Sequence, residues 1–213
     1  MSAPVPKSEA KRLQVLWEYE VLDTIPERVF DDLTELAASI CGAPVAMITL
    51  VDDKRQWFKS KVGVTISETS RDVSFCAHAI LQDELFIVAD AQKDKRFANN
   101  PLMACDPKIR FYAGAPLITP DGHALGTLCV IDMVPRTLRD DQKKALLILS
   151  RHVMTQLELR RRSNDLARAG EEHAKMQADL NKALAELAAV RLALTKKGGK
   201  SPSAPKLKST RRK

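Results

Sequence analysis

The sequence predicts an α+β fold, in which an antiparallel β-sheet is flanked by helices and followed by a long C-terminal helix. Two strand-like runs, residues 109–119 and 123–132, flank the sequence Pro120-Asp121-Gly122. Proline, aspartate and glycine each favour a tight turn, so the two runs form a hairpin. Apolar residues recur at helical spacing on both sides of this hairpin, and leucine then recurs at seven-residue intervals towards the C-terminus, which favours an extended amphipathic helix.

Two amphipathic helices are expected at the N-terminus. The first covers residues 8–22 and has an apolar face made of Leu13, Leu16, Trp17 and Val21. Thr24 and Glu27 have the spacing of a capping box, with Pro26 in the first turn that they would open. The second helix then carries an apolar face and ends at a glycine, and its marker residues are Phe30, Leu33, Ala37, Ile40 and Gly42.

Short elements follow before the hairpin. Runs rich in β-branched and aromatic residues, bounded by polar turns, are typical of strands. The expected elements are strands at residues 45–52, 56–62 and 85–89 and a short helix at residues 75–81. Residues 64–73 are polar and are expected to be irregular, and residues 90–103 are expected to form a loop with about one helical turn.

The central hairpin carries unusually small side chains at Ala113, Gly114, Ala115 and Gly126. Small residues in a strand leave space above the sheet, and either a closely packed element or a ligand occupies such space. The residues alone leave both interpretations open.

The hairpin also carries a family resemblance. The segments FYAGAPL and LGTLCVID, with PDG between them, resemble the core of the GAF domain, a small-molecule- and light-sensing fold of signalling proteins. Further blocks extend the resemblance over residues 10–161, in the order LDT, TLVD, RQWFKS, SFCAHAI, RFA and PRTL. The resemblance implies a GAF- or PAS-like antiparallel sheet of about six strands. The N-terminal helices and a helix at residues 137–161 would cover one face, and loops and any pocket would cover the other.

By the same resemblance, a ligand would lie between the sheet and the loops after its second and third strands. The candidate ligand-binding residues are Trp57, Phe75, Cys76, His78, Asp90, Arg96, Phe97, Arg110, Tyr112 and Thr127. This mixture of rings, charges and hydroxyls suits a small polar or aromatic ligand, although no cofactor is identified. Each residue also has a purely structural interpretation, as part of the core or as a surface ion pair.

Cysteine chemistry supplies an alternative function. Some GAF proteins are free methionine-(R)-sulfoxide reductases, and Ala104-Cys105-Asp106 resembles the loop of their nucleophile, with Cys76 near an upstream position. A further upstream cysteine of those enzymes is missing here, so we expect a protein that is not an enzyme. The four cysteines lack metal-ligand spacing, and no metal site is predicted.

A further helix is expected to begin at Thr137, with Thr137 and Asp140 as its capping residues. Its pattern continues far beyond the domain. Its heptad pattern predicts a dimer seam at Leu159, Leu166, Met176, Leu180, Leu187, Val190 and Leu194. Such a pattern favours a coiled coil. By the family resemblance, the helix would pair in parallel with a second copy, and we therefore expect a homodimer. The alternative is a single amphipathic helix folded back on the domain.

The C-terminal tail holds the positive charge. Residues 196–213 contain eight cations and no acid, and subtracting these eight from the formal net charge of +7 leaves −1 for residues 1–195. The cations are Lys196, Lys197, Lys200, Lys206, Lys208, Arg211, Arg212 and Lys213. A segment of this composition cannot bury enough apolar surface to fold. Its positive charge suits anionic partners. The candidate partners are nucleic acid, an anionic membrane surface and an acidic protein.

The chain is therefore predicted to comprise an N-terminal helix (1–23), a GAF domain (24–161), a coiled-coil helix (162–195) and a disordered basic tail (196–213). No apolar segment is long enough to span a membrane, and no signal core is present, so we expect a cytoplasmic protein. The predicted function is a non-catalytic sensor or adaptor that binds a small ligand or partner. It would signal to a downstream protein through its dimeric helix. The alternatives are the thiol reductase and a nucleic-acid-associated protein acting through the tail.

Overall fold

The computed structural model describes residues 5–104 and 108–197, and these residues contain an antiparallel sheet. Its strands are β1 (Val45–Val51), β2 (Arg55–Val62), β3 (Glu68–Ser70), β4 (Phe86–Val88), β5 (Phe111–Ile118) and β6 (Ala124–Asp132). In the described residues the sheet has six strands in the order β3-β2-β1-β6-β5-β4. With its flanking helices, the sheet confirms the predicted α+β fold class.

The helices are α1 (Glu9–Glu18), α2 (Arg28–Cys41), α3 (Phe75–Ala79) and α4 (Asp140–Lys197). Short 3₁₀ turns lie at Arg71–Val73 and Pro101–Met103. The long C-terminal helix of the predicted fold is thus present as α4. The chain divides into two units, one ending at Ser163 and the other beginning at Asn164.

Each face of the sheet has its own hydrophobic core, because successive residues of a strand point to opposite faces. In β1, Ala46 and Ile48 pack in the core formed with α1, α2 and the first turns of α4. Val45 and Met47 pack instead in the core formed with α3 and β4. The second core borders the loops, and any ligand pocket on this face lies among its residues.

The predicted capping box at the start of α2 is wrong. The helix begins at Arg28 without a side-chain cap, because Thr24 and Glu27 bind the buried ammonium of Lys59 instead. Lys59 Nζ donates to Thr24 Oγ1 at 2.8 Å, to the Ile25 carbonyl at 2.9 Å and to Glu27 Oε1 at 2.6 Å. An ammonium has three donors, and all three are satisfied here, which lowers the cost of burying its charge.

Two further local predictions differ from the structure. Helix α4 begins at Asp140 and not next to Thr137, since Gln142 accepts from the backbone N–H of Arg139 at 3.1 Å and donates to the Ile40 carbonyl at 3.0 Å. Glu68–Ser70 forms a strand inside the segment expected to be irregular, because it pairs with the start of β2. In each case the segment also contacts another element of the fold, α2 through the Ile40 carbonyl for Gln142 and β2 for Glu68–Ser70.

Candidate functional site

A small cavity lies on the α3 face of the sheet. Its volume is about 60 Å³, and its walls come from β1, β2, β3, β5, β6, α3 and the loops beside them. Apolar side chains form most of the lining, including Met47, Phe58, Val64, Ile66 and Phe75. Ile66 is half-exposed, so the cavity reaches the protein surface.

Stacked aromatic rings fill the space beside this cavity. The Phe75 and Phe97 rings stack with centroids 4.0 Å apart, and the Tyr112 ring lies 5.3 Å from that of Phe75. A Cβ atom added at Gly114 would overlap the hydroxyl of Tyr112. The space that small residues leave above β5 is therefore occupied, at Gly114, by the Tyr112 side chain.

Part of the cavity lining is polar. Gln56, Thr69, Ser74, Cys76 and Tyr112 all line it. The Ser74 hydroxyl donates to Gln56 Oε1, whereas the Thr69 hydroxyl is buried and, in the described part of the chain, has no hydrogen-bond partner. A buried hydroxyl without a partner costs about 1–3 kcal/mol, and a ligand that bonds it would recover part of that cost.

Beneath the cavity, two thiols and three hydroxyls form a buried cluster. Cys76 Sγ accepts hydrogen bonds from the hydroxyls of Tyr112 and Thr127, each at 3.1 Å, and lies 3.9 Å from Cys129 Sγ. Thr49 Oγ1 lies 3.1 Å from Thr127 Oγ1. Burial raises the pKa of Cys76, but hydrogen bonds from Cys129, Thr127, Thr49 and Tyr112 outweigh it and lower the pKa to about 7. The hydrogen bond to Cys76, together with burial, holds the pKa of Cys129 well above its ordinary value.

The structure brings five of the predicted ligand-binding residues together in this layer, namely Phe75, Cys76, Phe97, Tyr112 and Thr127. Trp57 instead packs in the core of the opposite face, with α1, α2 and α4. It does not line the cavity, because its β2 neighbours Gln56 and Phe58 face that way.

The remaining predicted residues lie at the edge of the same layer. The His78 ring lies 4.8 Å from that of Phe97 and is half-buried, and burial followed by the nearby Arg96 charge lowers its pKa. Arg96 pairs with Asp94 at 2.6 Å, and Arg110 pairs with Asp90 at 3.0 Å. The charged groups are thus engaged in surface ion pairs.

Several polar residues of the site were missed by the sequence analysis, namely Thr49, Gln56, Thr69, Ser74 and Cys129. Alternation along β2 could have placed Gln56 on the same face as Phe58. Thr69 could not be predicted, because its position depends on the pairing of β3 with β2, in a segment that was expected to be irregular. Cys105, the predicted nucleophile of the thiol-enzyme alternative, lies outside the described residues. So does the basic tail beyond residue 197.

Over the described ranges, no group of three or more histidine, cysteine, aspartate or glutamate residues is placed to hold a metal ion. No described helix has both the length and the apolar character needed to cross a membrane.

The fold and the site together define a GAF-type domain. The sequence pattern of the GAF domain family matches residues 26–157, which is more than half of the chain. The protein therefore belongs to the GAF domain family, as the hairpin sequence predicted.

A curated relative is similar over most of this chain. The chain is 41% identical over 162 residues to a cyclic di-GMP phosphodiesterase of Pseudomonas aeruginosa. The matched region covers 76% of this chain but 28% of that protein. The chain thus spans little more than a quarter of the relative that it matches.

Solved GAF domains share the fold. The GAF domain of an Acinetobacter phosphoenolpyruvate-protein phosphotransferase superposes with a TM-score of 0.52 at 15% identity, covering 73% of this chain and 96% of that one. The corresponding domain of Coxiella burnetii gives a TM-score of 0.53 at 15% identity with the same coverage, 73% and 96%.

Proposed function

We propose that this chain is a non-catalytic regulatory protein whose GAF domain binds a small ligand in the cavity on the α3 face. The observation that carries the proposal is the buried, unpartnered hydroxyl of Thr69, a residue that lines a largely apolar cavity. Buried polar groups in folded proteins are nearly always hydrogen-bonded, so such a group points to a missing partner. A ligand with an acceptor or donor at one end and an apolar body fits this arrangement.

The cavity volume limits the ligand class. A space of about 60 Å³ holds only a few non-hydrogen atoms. A larger ligand would insert one group and leave the rest near Ile66, where the cavity meets the surface. We therefore favour a small oxygen- or nitrogen-bearing compound over a nucleotide enclosed in the site.

Similarity to a cyclic di-GMP phosphodiesterase supports a role in regulating cyclic di-GMP turnover. The proposed role is regulatory, and the purified chain should not hydrolyse cyclic di-GMP. Hydrolysis by the full chain, at a rate above that of a buffer control, would replace the regulatory proposal with an enzymatic one.

Substitution Thr69→Val tests the ligand site. Valine keeps the shape of threonine and removes the unpartnered hydroxyl, so the unliganded chain should be stabilised by about 1 kcal/mol. The variant should also lose the increase in melting temperature that a bound compound produces in the wild-type chain. The measurement is thermal unfolding against a panel of small alcohols, amides and carboxylic acids.

Thr65→Val is the matched control, because Thr65 is exposed and outside the cavity. It should change neither stability nor ligand response appreciably. A panel that stabilises wild type and Thr69→Val equally would contradict the proposed site.

The output of the proposed sensor is a homodimer formed through α4. Residues 165–195 are all exposed in the single chain. The predicted seam is exposed by 54% at Leu159, 53% at Leu180 and 65% at Leu187. A parallel second copy of the same helix would bury this seam, and its heptad spacing matches that arrangement.

A charge-substitution pair tests the dimer. The double variant Leu180→Glu with Leu187→Glu should dissociate to monomers, because it places carboxylates in the apolar seam. Ala178→Glu with Ala185→Glu adds the same charge on the opposite side of the heptad and should leave the dimer intact. Sedimentation velocity measures the mass of each full-length double variant. If both variants had the same mass, the predicted dimer seam would be contradicted.

A further inference from the structure

The buried thiol pair is not needed for ligand binding at Thr69, yet its two sulfurs are unusually well placed for each other. Cys76 lies on α3 and Cys129 on the central strand β6, and both side chains are buried. Their Sγ atoms are 3.9 Å apart. We propose that Cys76 and Cys129 form a peroxide-responsive dithiol that closes to a reversible disulfide.

The geometry requires only a small movement. A disulfide bond is about 2.05 Å long, so the two sulfurs must approach each other by about 2 Å. We attribute this approach to rotation about the two Cα–Cβ bonds and to a shift of α3, which is only five residues long. Cys41, the other described cysteine, is buried between the helices and the opposite face of the sheet, away from this pair.

Peroxide has a route to Cys76. The Cys76 side chain lines the cavity, and so does Ile66, which is 50% exposed. A molecule with two oxygen atoms fits within about 60 Å³. Cys129 does not line the cavity, so the oxidant would meet Cys76 first.

The hydrogen bonds assign different roles to the two sulfurs. Donation from Tyr112 and Thr127 favours the thiolate of Cys76, whose pKa is about 7. The thiolate is the reactive form of cysteine, so Cys76 is the attacking nucleophile. Cys129, whose pKa is raised, stays protonated until the second step and acts as the resolving thiol.

The proposed reaction has two steps. The Cys76 thiolate attacks one oxygen of hydrogen peroxide, the O–O bond breaks, and the leaving hydroxide takes a proton to become water. Cys76 is then a sulfenic acid. The Cys129 sulfur attacks the Cys76 sulfur, the S–O bond breaks, and a second water leaves with the Cys129 proton. Two thiols lose two electrons in total, and one peroxide is reduced to two waters.

Oxidation would alter the polar part of the cavity lining. A disulfide at Cys76 joins α3 covalently to β6 and weakens the sulfur as a hydrogen-bond acceptor for Tyr112 and Thr127. Tyr112 lines the cavity, and its hydroxyl would then depend on its other partner, Thr127 Oγ1, which lies 3.3 Å away. The dithiol thus supplies a second input that does not require the proposed ligand.

The test uses the full wild-type chain, with hydrogen peroxide as the probe, followed by alkylation and tryptic digestion. Cleavage after Arg71, Lys93, Arg110 and Arg136 gives peptides 72–93 and 111–136, each of which holds one thiol of the pair. We expect these two peptides to be disulfide-linked as the main product and to separate again on addition of dithiothreitol. A disulfide joining Cys41 or Cys105 instead, or no linkage in the oxidised folded chain, would overturn the proposal.

Two variants test the order of the steps. In Cys129→Ala the reaction should stop at the Cys76 sulfenic acid, which dimedone labels once the oxidised protein is unfolded in the quench, since the folded cavity of about 60 Å³ is too small to admit dimedone. In Cys76→Ala, Cys129 should stay reduced at the same peroxide concentration. Labelling of Cys129 by dimedone in the Cys76→Ala variant would overturn the assigned roles. Circular dichroism of both variants verifies the fold, and neither result depends on a ligand binding at Thr69.

Discussion

Replacing Gly126 by alanine is expected to destabilise the domain by about 3 kcal/mol or more, the upper range for overpacking a core. An added Cβ atom at this position would overlap the carbonyl oxygen of Thr49 and would lie 2.8 Å from Leu50 Cα. Both obstacles are backbone atoms of β1, so no side chain can move aside. The strands β1 and β6 would have to separate where Thr49 and Thr127 meet, which is the floor of the thiol cluster.

Gly122→Ala is the control in the same hairpin. Gly122 has a φ of +81°, but an added Cβ atom would meet nothing within 4 Å. That variant should therefore lose only about 1 kcal/mol through backbone strain. Urea unfolding of both variants measures the difference. Equal losses would show that strain at a turn, and not the close approach of β1 to β6, limits stability in this hairpin.

The hairpin was predictable from sequence because its information is local. Pro120, Asp121 and Gly122 specify the turn, and the strand residues on both sides have the composition of a sheet. Helix α2 was equally predictable up to Gly42, which ends it with a φ of +56°. The start of α2 was not predictable, because Thr24 and Glu27 bind Lys59, whose position depends on the folded sheet.

The candidate site was predictable in part. The prediction of Trp57 was wrong because successive residues of a strand point to opposite faces of the sheet. The family resemblance selected Trp57 for the ligand site, but alternation along β2 turns Trp57 to one face and its neighbours Gln56 and Phe58 to the other. Phe75, Cys76 and Tyr112 do meet at the cavity. Whether they contact a ligand stays a prediction.

Buried charge was the feature least visible in the sequence. Arg12 and Arg71 would ordinarily be assigned to solvent, yet both are buried. Arg12 donates to Glu9 through two nitrogens and to the Val51 carbonyl at 2.6 Å. Arg71 donates to Glu9 Oε1 at 2.5 Å and to the Asp52 carbonyl at 3.0 Å. One carboxylate thus balances two arginines and joins α1 to the β1–β2 turn.

Substitution Glu9→Gln is therefore expected to cost about 3 kcal/mol at neutral pH, the lower end of the range for breaking a buried ion pair. Glutamine keeps the size and an acceptor oxygen but leaves two buried guanidinium groups without a counter-charge. Glu18→Gln is the control, because Glu18 is exposed on the same helix and its ion pair with Arg161, at 3.6 Å, is near the surface. The control should lose less than about 1 kcal/mol. Chemical unfolding near pH 7 measures both losses.

The pH dependence separates charge from shape in this network. Burial raises the pKa of Glu9, but the hydrogen bonds from Arg12 and Arg71 outweigh it and hold the pKa at about 2, below the ordinary 4.5. A lowered pKa contributes stability that is fully present above the ordinary value and is lost as the pH falls towards 2. The stability difference between wild type and Glu9→Gln should therefore be greatest above pH 4.5 and should shrink on acidification. A difference that stays constant over this range would mean that glutamine disturbs packing, and that the Glu9 charge does not hold α1 against the sheet.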